Sequence, residues 1–319
     1  FSRWRAMRRH LTRSGASHGL FLGFDHLTLP FALGLGAAGR KISGILFRPT
    51  AHYPALGCRP AGFKERLRDL RKELLLRFSL GNPAVERVFS LDPFFPAHAR
   101  DRYRGGGKLL PLGDPAFPPP RPEAADRRIA RELPEDRTAF LLFGELTERK
   151  GVIPFLEALR LLPPRVARSS AVTLAGRVDP AVAPRVAALI EALRRDQPEL
   201  WLACHDRWLS AGELAALVEA SDVVMAPYQR FVGSSGVLLW AARTGRPVIC
   251  QDYGLLGHLT ERYRLGVTVD SRDPSAIASA MVGSVEQGAE SLREGRDAGS
   301  FLESRSPEAF AAALLSAAA

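Results

Sequence analysis

The sequence predicts an α/β protein with two parallel-sheet domains, and three observations carry that reading. Its 319 residues are long enough for two such units, each able to bury a core. Phe140 to Pro163 reads as a strand, a polar loop and a helix, and Gly233 to Leu259 as a loop, a helix, a strand and a second loop. Further toward the amino end, Gly19 to Gly36 reads as a strand, a polar turn at Asp25 and His26, and a helix, followed by a second strand region, Lys41 to Tyr53, ending in His52. Strands joined by helices imply parallel pairing.

Within the first domain, Val85 to Phe95 and the strand Lys108 to Phe117 follow. Pro118 to Arg128 is rich in proline and charge and has linker character. A domain boundary is expected there, giving 1–127 and 128–319. In the second domain, Phe140 to Phe143 is a continuous apolar run, as a strand buried on both faces requires. Ile153, Leu156, Leu159 and Leu162 mark the apolar stripe of the next helix. Between them lies a charged loop with Gly144, Glu145, Glu148, Arg149 and Lys150, the last placed just before Gly151 at the helix start. A cation at a helix N-terminus opposes the peptide dipoles, so a nearby anion would explain it; a solvated surface lysine is the plainer alternative.

Gly233, Ser234, Ser235 and Gly236 precede the apolar helical stretch Val237 to Arg243. Small residues there let backbone N–H groups approach a ligand, and a serine can cap the helix or bond a phosphate oxygen. Gly245 ends that helix; Arg246 to Cys250 reads as a short buried strand, with Asp252, Gly254 and Gly257 in the turn at its carboxyl end. In open α/β sheets that edge binds ligands. The alternative is a βα unit whose glycines only make turns. Pro307 to Ala319 reads as an Ala-rich helix.

Five segments in this order resemble the retaining glycosyltransferases of the GT-B fold, glycosyl transferases group 1. FGELTERKGVIPFLEAL is similar to the family's lysine–glycine loop, and VTLAGRV, Val172 to Val178, to its following strand. ELAALVEASDVVMAPY, Glu213 to Tyr228, is similar to its helix-to-strand segment. SSGVLLWAARTGRPVI with DYGLLGHL, and then LGVTVDSRDPSAIASAM, are similar to its donor-phosphate loop and C-terminal helices.

The resemblance implies two Rossmann-like domains facing a cleft, with a nucleotide-diphosphate sugar as donor in the second and an acceptor hydroxyl, on a glycan, lipid or small molecule, in the first. It implies Lys150 on the diphosphate and the amides around Ser235, Gly236 and Val237 on the distal phosphate. Arg177, after a strand-end glycine, and Trp208, before a helix capped by Ser210, are candidates to line a base pocket; a surface cation and a core-edge aromatic are the alternatives. It also implies retention of configuration without a protein nucleophile, the donor phosphate helping to take the proton, in polysaccharide or glycolipid synthesis. No metal is expected, because no D-x-D-type carboxylate pair stands in a donor loop, and no cofactor beyond the donor itself. The resemblance further implies strands ahead of Gly19, so the first domain is expected to be incomplete.

The chain departs from the family pattern in two places. Val232 and Trp240 stand where many members have paired glutamates, and Glu145 where many have arginine. A charge-assisted hydrogen bond contributes roughly 1.5–3 kcal/mol, so these losses weaken donor binding without abolishing it. The chain is then either a divergent enzyme with other contacts or an inactive GT-B-like binding module.

His26 and His52 end their segments in positions suited to holding or deprotonating an acceptor hydroxyl, with Asp25 as an orienting partner; structural histidines at strand ends are the alternative.

The net charge of +10 concentrates in Phe1 to Arg13 and Gly62 to Phe78. In the latter, Leu67, Leu70, Leu74 and Phe78 share a helical face with cations beside them, which suits peripheral contact with an anionic membrane. Glu65, Asp69 and Glu73 interleave, as on an ordinary solvated helix. Many family members act on lipid-linked acceptors. Nucleic-acid binding is not expected, because the cations are scattered without zinc spacing or interleaved aromatics. No G-x-G-x-x-G follows a strand, which argues against a dinucleotide oxidoreductase. No apolar run reaches the roughly 20 residues of a membrane span. Three cysteines, Cys58, Cys204 and Cys250, an odd count without close spacing, point to a reducing compartment, so a cytoplasmic protein is expected.

Overall fold

The computed structural model describes residues 1–58 and 62–316. Two compact units result, Phe1–Pro115 with Glu303–Ala319, and Ala116–Leu302.

The first unit runs α1 (Ser2–Ser14), β1 (His18–Phe21), α2 (Thr28–Ala32), β2 (Lys41–Leu46), α3 (Phe63–Leu80), β3 (Val85–Ser90), α4 (Phe95–Arg100) and β4 (Leu109–Pro111). The four strands form a parallel sheet in sequential order. On one face, Met7 and Leu11 of α1, Phe31 of α2 and Leu76 and Leu80 of α3 share a core with Ile42, Leu46, Val85 and Val88. On the other, Ile45, Phe89 and Leu112 pack with Phe310 and Leu314, which come from the distant helix Pro307–Leu315.

Two sequence expectations are corrected here. The segment expected as a strand to His52 leaves the sheet at Leu46; Thr50–Leu56 is a 3-10 turn after Pro49, which cannot donate to a sheet ladder. Likewise the strand expected over Lys108 to Phe117 shrinks to Leu109–Pro111. Pro111 ends the ladder, and Gly113 then passes so close to the Ser304 carbonyl that an added Cβ would lie 2.6 Å from it.

The second unit runs α5 (Arg127–Ala130), β5 (Thr138–Phe143), α6 (Val152–Leu159), α7 (Pro164–Arg168), β6 (Ser170–Ala175), α8 (Ala183–Asp196), β7 (Trp201–His205), α9 (Ala211–Ala220), β8 (Val223–Ala226), α10 (Gly236–Arg243), β9 (Val248–Gln251), α11 (Gly254–Arg262), β10 (Gly266–Val269) and α12 (Pro274–Glu286). Helix α13 (Ala298–Glu303) leads to α14 (Pro307–Leu315) in the first unit. The expected carboxyl-terminal helix is therefore present through Leu315, and residues 317–319 of that expectation lie outside the described residues.

All six strands of this unit are parallel, in the order β10-β9-β8-β5-β6-β7. The apolar run Phe140 to Phe143 is buried throughout, and Phe155 and Leu156 of α6 seal it from above. Each such side chain contributes roughly 1.5–3 kcal/mol by leaving water.

Strand order places the site. From β5 the chain winds outward through β6 and β7, then returns to add β8 against the opposite edge of β5. Loops after β5 and β8 thus leave in opposite directions and open a crevice at the carboxyl ends of these two strands. The turn expected after β9 is shorter than its sequence suggests: Gly254 opens α11 and Gly257 lies inside it, where a Cβ would stand 2.5 Å from the Gln251 carbonyl. It allows α11 to close down on the strand end.

Candidate donor site and acceptor-side pair

After β5 the chain turns at Gly144, whose φ of +97° is a left-handed value that a side chain resists. The Lys150 side chain returns over it, with Nζ 3.3 Å from where a Cβ would be. Thr147 holds the 3-10 turn Glu148–Lys150 by accepting from the Lys150 amide at 3.2 Å. Gly151 follows at φ +75°, packed so closely that a Cβ would lie 1.9 Å from the Pro227 carbonyl. Glycine at 151 therefore lets the loop after β5 lie against the loop after β8.

That contact joins two segments far apart in sequence. Lys150 Nζ donates to Tyr228 Oη at 2.5 Å, and Tyr228 Oη is 2.9 Å from Ser235 Oγ. Ser235 in turn caps α10, accepting from the Val237 amide at 3.2 Å. A continuous chain therefore runs from the ammonium to the N-terminus of α10. Tyr228 is 1% exposed, and burial pushes its phenol up to about 12, so it stays protonated and donates to only one partner at a time. Burial, with Arg149 beside it, pulls the Lys150 ammonium down to about 8, while Glu145 acts the other way. A desolvated ammonium bonded to a neutral phenol is electrostatically unsatisfied, and an anion would satisfy it.

At the α10 N-terminus, Gly236 is exposed, and no heavy atom lies within 4 Å of where its Cβ would be. Neither space nor φ requires glycine at 236 for folding. Its bareness matters only for what approaches from outside. Arg149 spreads over the rings of Phe231 and Tyr228, its guanidinium carbon 5.2 and 5.9 Å from their centroids, adding a second cation to the crevice.

The structure thus brings Gly144, Lys150, Ser235 and Val237 together and sets Ser234 and Gly236 beside them. Trp240 lies on α10 and meets Phe143, the last residue of β5, edge to face at 6.3 Å. An aromatic wall stands at that position instead of a carboxylate. Val232 is held by its backbone, accepting from the Leu255 amide at 2.8 Å. Arg177 and Trp208 sit at the carboxyl ends of β6 and β7, on the same sheet edge and exposed; Trp208 is 73% exposed. Two strand spacings, about 10 Å, separate β7 from β5, so Trp208 flanks the Lys150 network without belonging to it. Ser210 does cap α9, in a capping box with Glu213. Tyr228 and Arg149 were missed as site residues. Tyr228 carries no local signal, because its place depends on the pairing of β8 with β5.

In the first unit, the expected trio separates. Asp25 accepts from the backbone amides of Phe47 at 3.0 Å and Arg48 at 3.3 Å, clipping the chain after β2 to the turn after β1. His26 is exposed and Asp25 does not bond it. His52 has a different partner: its Nδ1 lies 2.6 Å from Asp92 Oδ2, with both side chains buried. Asp92 is itself fixed, its other oxygen accepting from the amides of Phe94 at 3.0 Å and Phe95 at 3.3 Å. His98 packs on His52 with ring centroids 5.0 Å apart, and burial lowers its pKa. A histidine oriented in this way by a carboxylate is suited to holding a hydroxyl. Among the described residues no group of three or more His, Cys, Asp or Glu side chains is placed to hold a metal ion.

Comparison with known proteins gives a family match and several structural likenesses. Residues 137–287 match the family described as Glycosyl transferases group 1. No curated protein matches the sequence. Among solved structures, sucrose-phosphate synthase from Thermosynechococcus elongatus superposes with a TM-score of 0.69 at 18% identity, over 98% of this chain and 75% of that one. Anabaena Alr3699/HepE, solved in complex with UDP, gives 0.66 at 14% identity, over 98% and 82%. The UDP-forming α,α-trehalose-phosphate synthase from Burkholderia vietnamiensis gives 0.63 at 13%, over 98% and 74%. At these identities the likeness is one of fold. The match to the glycosyl transferases group 1 thus covers residues 137–287, the sheet that carries the lysine network, and the GT-B fold of these solved structures is shared over nearly the whole chain.

Proposed function

We propose that the second unit binds the diphosphate of a nucleotide sugar and that the enzyme moves the sugar to an acceptor hydroxyl with retention of configuration. The observation that supports this most is the Lys150–Tyr228–Ser235 chain, which sets an unsatisfied ammonium and the open N-terminus of α10 at one sheet edge. Charge, dipole and access all favour a dianionic group there. In the reaction the bond from the anomeric carbon to the diphosphate oxygen breaks and a bond to the acceptor oxygen forms on the same face. The acceptor proton passes to the departing phosphate, whose charge Lys150 offsets. The Asp92-oriented His52 is assigned to the acceptor hydroxyl, on a glycan, lipid or small molecule.

Uridine diphosphate sugars are the first donors to test, because HepE was solved with UDP and with UDP and glucose and the Burkholderia synthase is UDP-forming. Calorimetric titration of the purified chain with UDP, GDP, ADP and their sugar conjugates, with Lys150→Ala as control, is the experiment. Binding of one nucleotide that depends on Lys150 supports the reading. Binding of none of them, or binding indifferent to Lys150, overturns it. Donor hydrolysis by the binding-competent protein separates an enzyme from an inactive module.

A further inference from the structure

Helix α3 turns its apolar stripe the wrong way for a core. Phe63, Leu67, Leu70, Leu74 and Phe78 are 79, 57, 52, 41 and 64% exposed. Leu76, Ser79 and Leu80, on the opposite side, are the residues it buries. At about 100° per residue, Lys64 and Arg71 fall along one edge of the exposed stripe and Arg66 along the other, while Arg77 on that second edge folds over the Tyr103 ring and donates to the Arg102 carbonyl at 3.4 Å. The interleaved acids of the sequence fall on the inner flank. Glu73 accepts from Tyr103 Oη at 3.1 Å, and Glu65 and Asp69 pair with Arg68 at 3.7 and 3.4 Å. Viewed from solvent, the helix is a row of leucine and phenylalanine rimmed by cations.

Helix α1 extends the same character. It shares the core on that face of the sheet through Met7 and Leu11. Arg3, Arg5, Arg8, Arg9 and Arg13 are exposed on it, and it holds no acidic residue.

We infer that this face of the first unit docks on an anionic lipid bilayer, with α3 lying in the interfacial plane. An 18-residue helix spans about 27 Å, and the stripe runs nearly its whole length, which suits a flat apolar boundary. The rim cations reach lipid phosphates while their stems follow the acyl boundary. A second copy of this face would set cation rim against cation rim, so like charge disfavours a symmetric dimer here. No helix among the described residues is long and apolar enough to cross the membrane, so contact by this face is peripheral.

The test is co-sedimentation of the full chain with vesicles of mixed phosphatidylglycerol and phosphatidylcholine, and with phosphatidylcholine alone. Binding to the anionic vesicles that falls with added salt is expected. Leu67→Ser with Leu74→Ser and Phe78→Ser should abolish it while leaving the melting temperature unchanged, since these side chains face water. Lys64→Gln with Arg71→Gln keeps the stripe and should weaken binding about 30-fold, at about 1 kcal/mol for each cation near the surface. The inference is overturned if the wild type ignores anionic vesicles, or if either variant binds as the wild type does. Stripe-dependent dimerisation in sedimentation equilibrium, without vesicle binding, would overturn it in favour of a second copy.

Discussion

Replacing Lys150 with methionine should make the unliganded protein more stable and the donor complex weaker. The fall of the Lys150 pKa from 10.5 to about 8 means that holding the proton in the folded site costs about 3 kcal/mol relative to water. The unfolded chain keeps that proton up to about 10.5 and the folded chain only to about 8. Between those values the unfolded state binds more protons and stability rises with pH, so the cost is carried in full below pH 8. Methionine keeps the aliphatic stem over Gly144 and removes the charge. One hydrogen bond to Tyr228 is lost, about 1 kcal/mol, and the phenol retains Ser235 as partner. The balance is a gain of about 2 kcal/mol at pH 7. For a unit of this size that raises its melting temperature by roughly 4–8 °C. Nucleotide affinity should fall by roughly 1.5–3 kcal/mol, or about 10- to 150-fold. Thermal melting without ligand and calorimetric titration with the preferred nucleotide measure the two effects. A Lys150→Met protein that melts lower than wild type and binds nucleotide equally well would show that the lysine is structural, and the donor-site argument would fail.

Three further outcomes follow from the same geometry. Nucleotide affinity of the wild type should fall as pH rises above about 8, where free Lys150 loses its proton, and should stay flat there in Lys150→Met; a pH series of titrations checks this. Gly151→Ala should destabilise the second unit by more than about 2 kcal/mol, through positive φ and the 1.9 Å approach of the Pro227 carbonyl, whereas Gly236→Val should change stability little and cut nucleotide binding; melting and titration of the pair separate fold from ligand contact. Asp92→Asn should slow sugar transfer by about 100-fold or more while leaving the nucleotide dissociation constant unchanged, and an unaltered transfer rate would remove His52 from the acceptor chemistry.

Sequence reached some of this site because certain residues carry local physics. The small residues Gly233 to Gly236 before an apolar helix announce an anion-ready N-terminus, and a lysine before Gly151 announces a cation at another. Tyr228 carries no such signal. Its importance arises from β8 lying beside β5, a non-local pairing that sets its hydroxyl between Lys150 and Ser235. Asp92 is hidden for the same reason: it stands 40 residues from His52, and only the pairing of β2 with β3 brings them together. The neighbour Asp25 was the nearer carboxylate in sequence, yet its oxygens serve two backbone amides instead. In α3, leucines occupy both faces, so periodicity shows an apolar stripe without showing which way it points. The core settles that by taking Leu76 and Leu80, which leaves Leu67, Leu70 and Leu74 outside.

Helix α14 has a consequence for how the chain is made. The face of the first sheet bearing Ile45, Phe89 and Leu112 is covered by residues synthesised roughly two hundred positions later. On the ribosome the first unit therefore emerges with one apolar face bare and must wait. The second unit, Ala116–Leu302, is contiguous and can close as it appears. Folding of the first unit is then expected to finish after that of the second, and a chaperone that shields apolar sheet faces has its longest opportunity on the earlier-made of the two units.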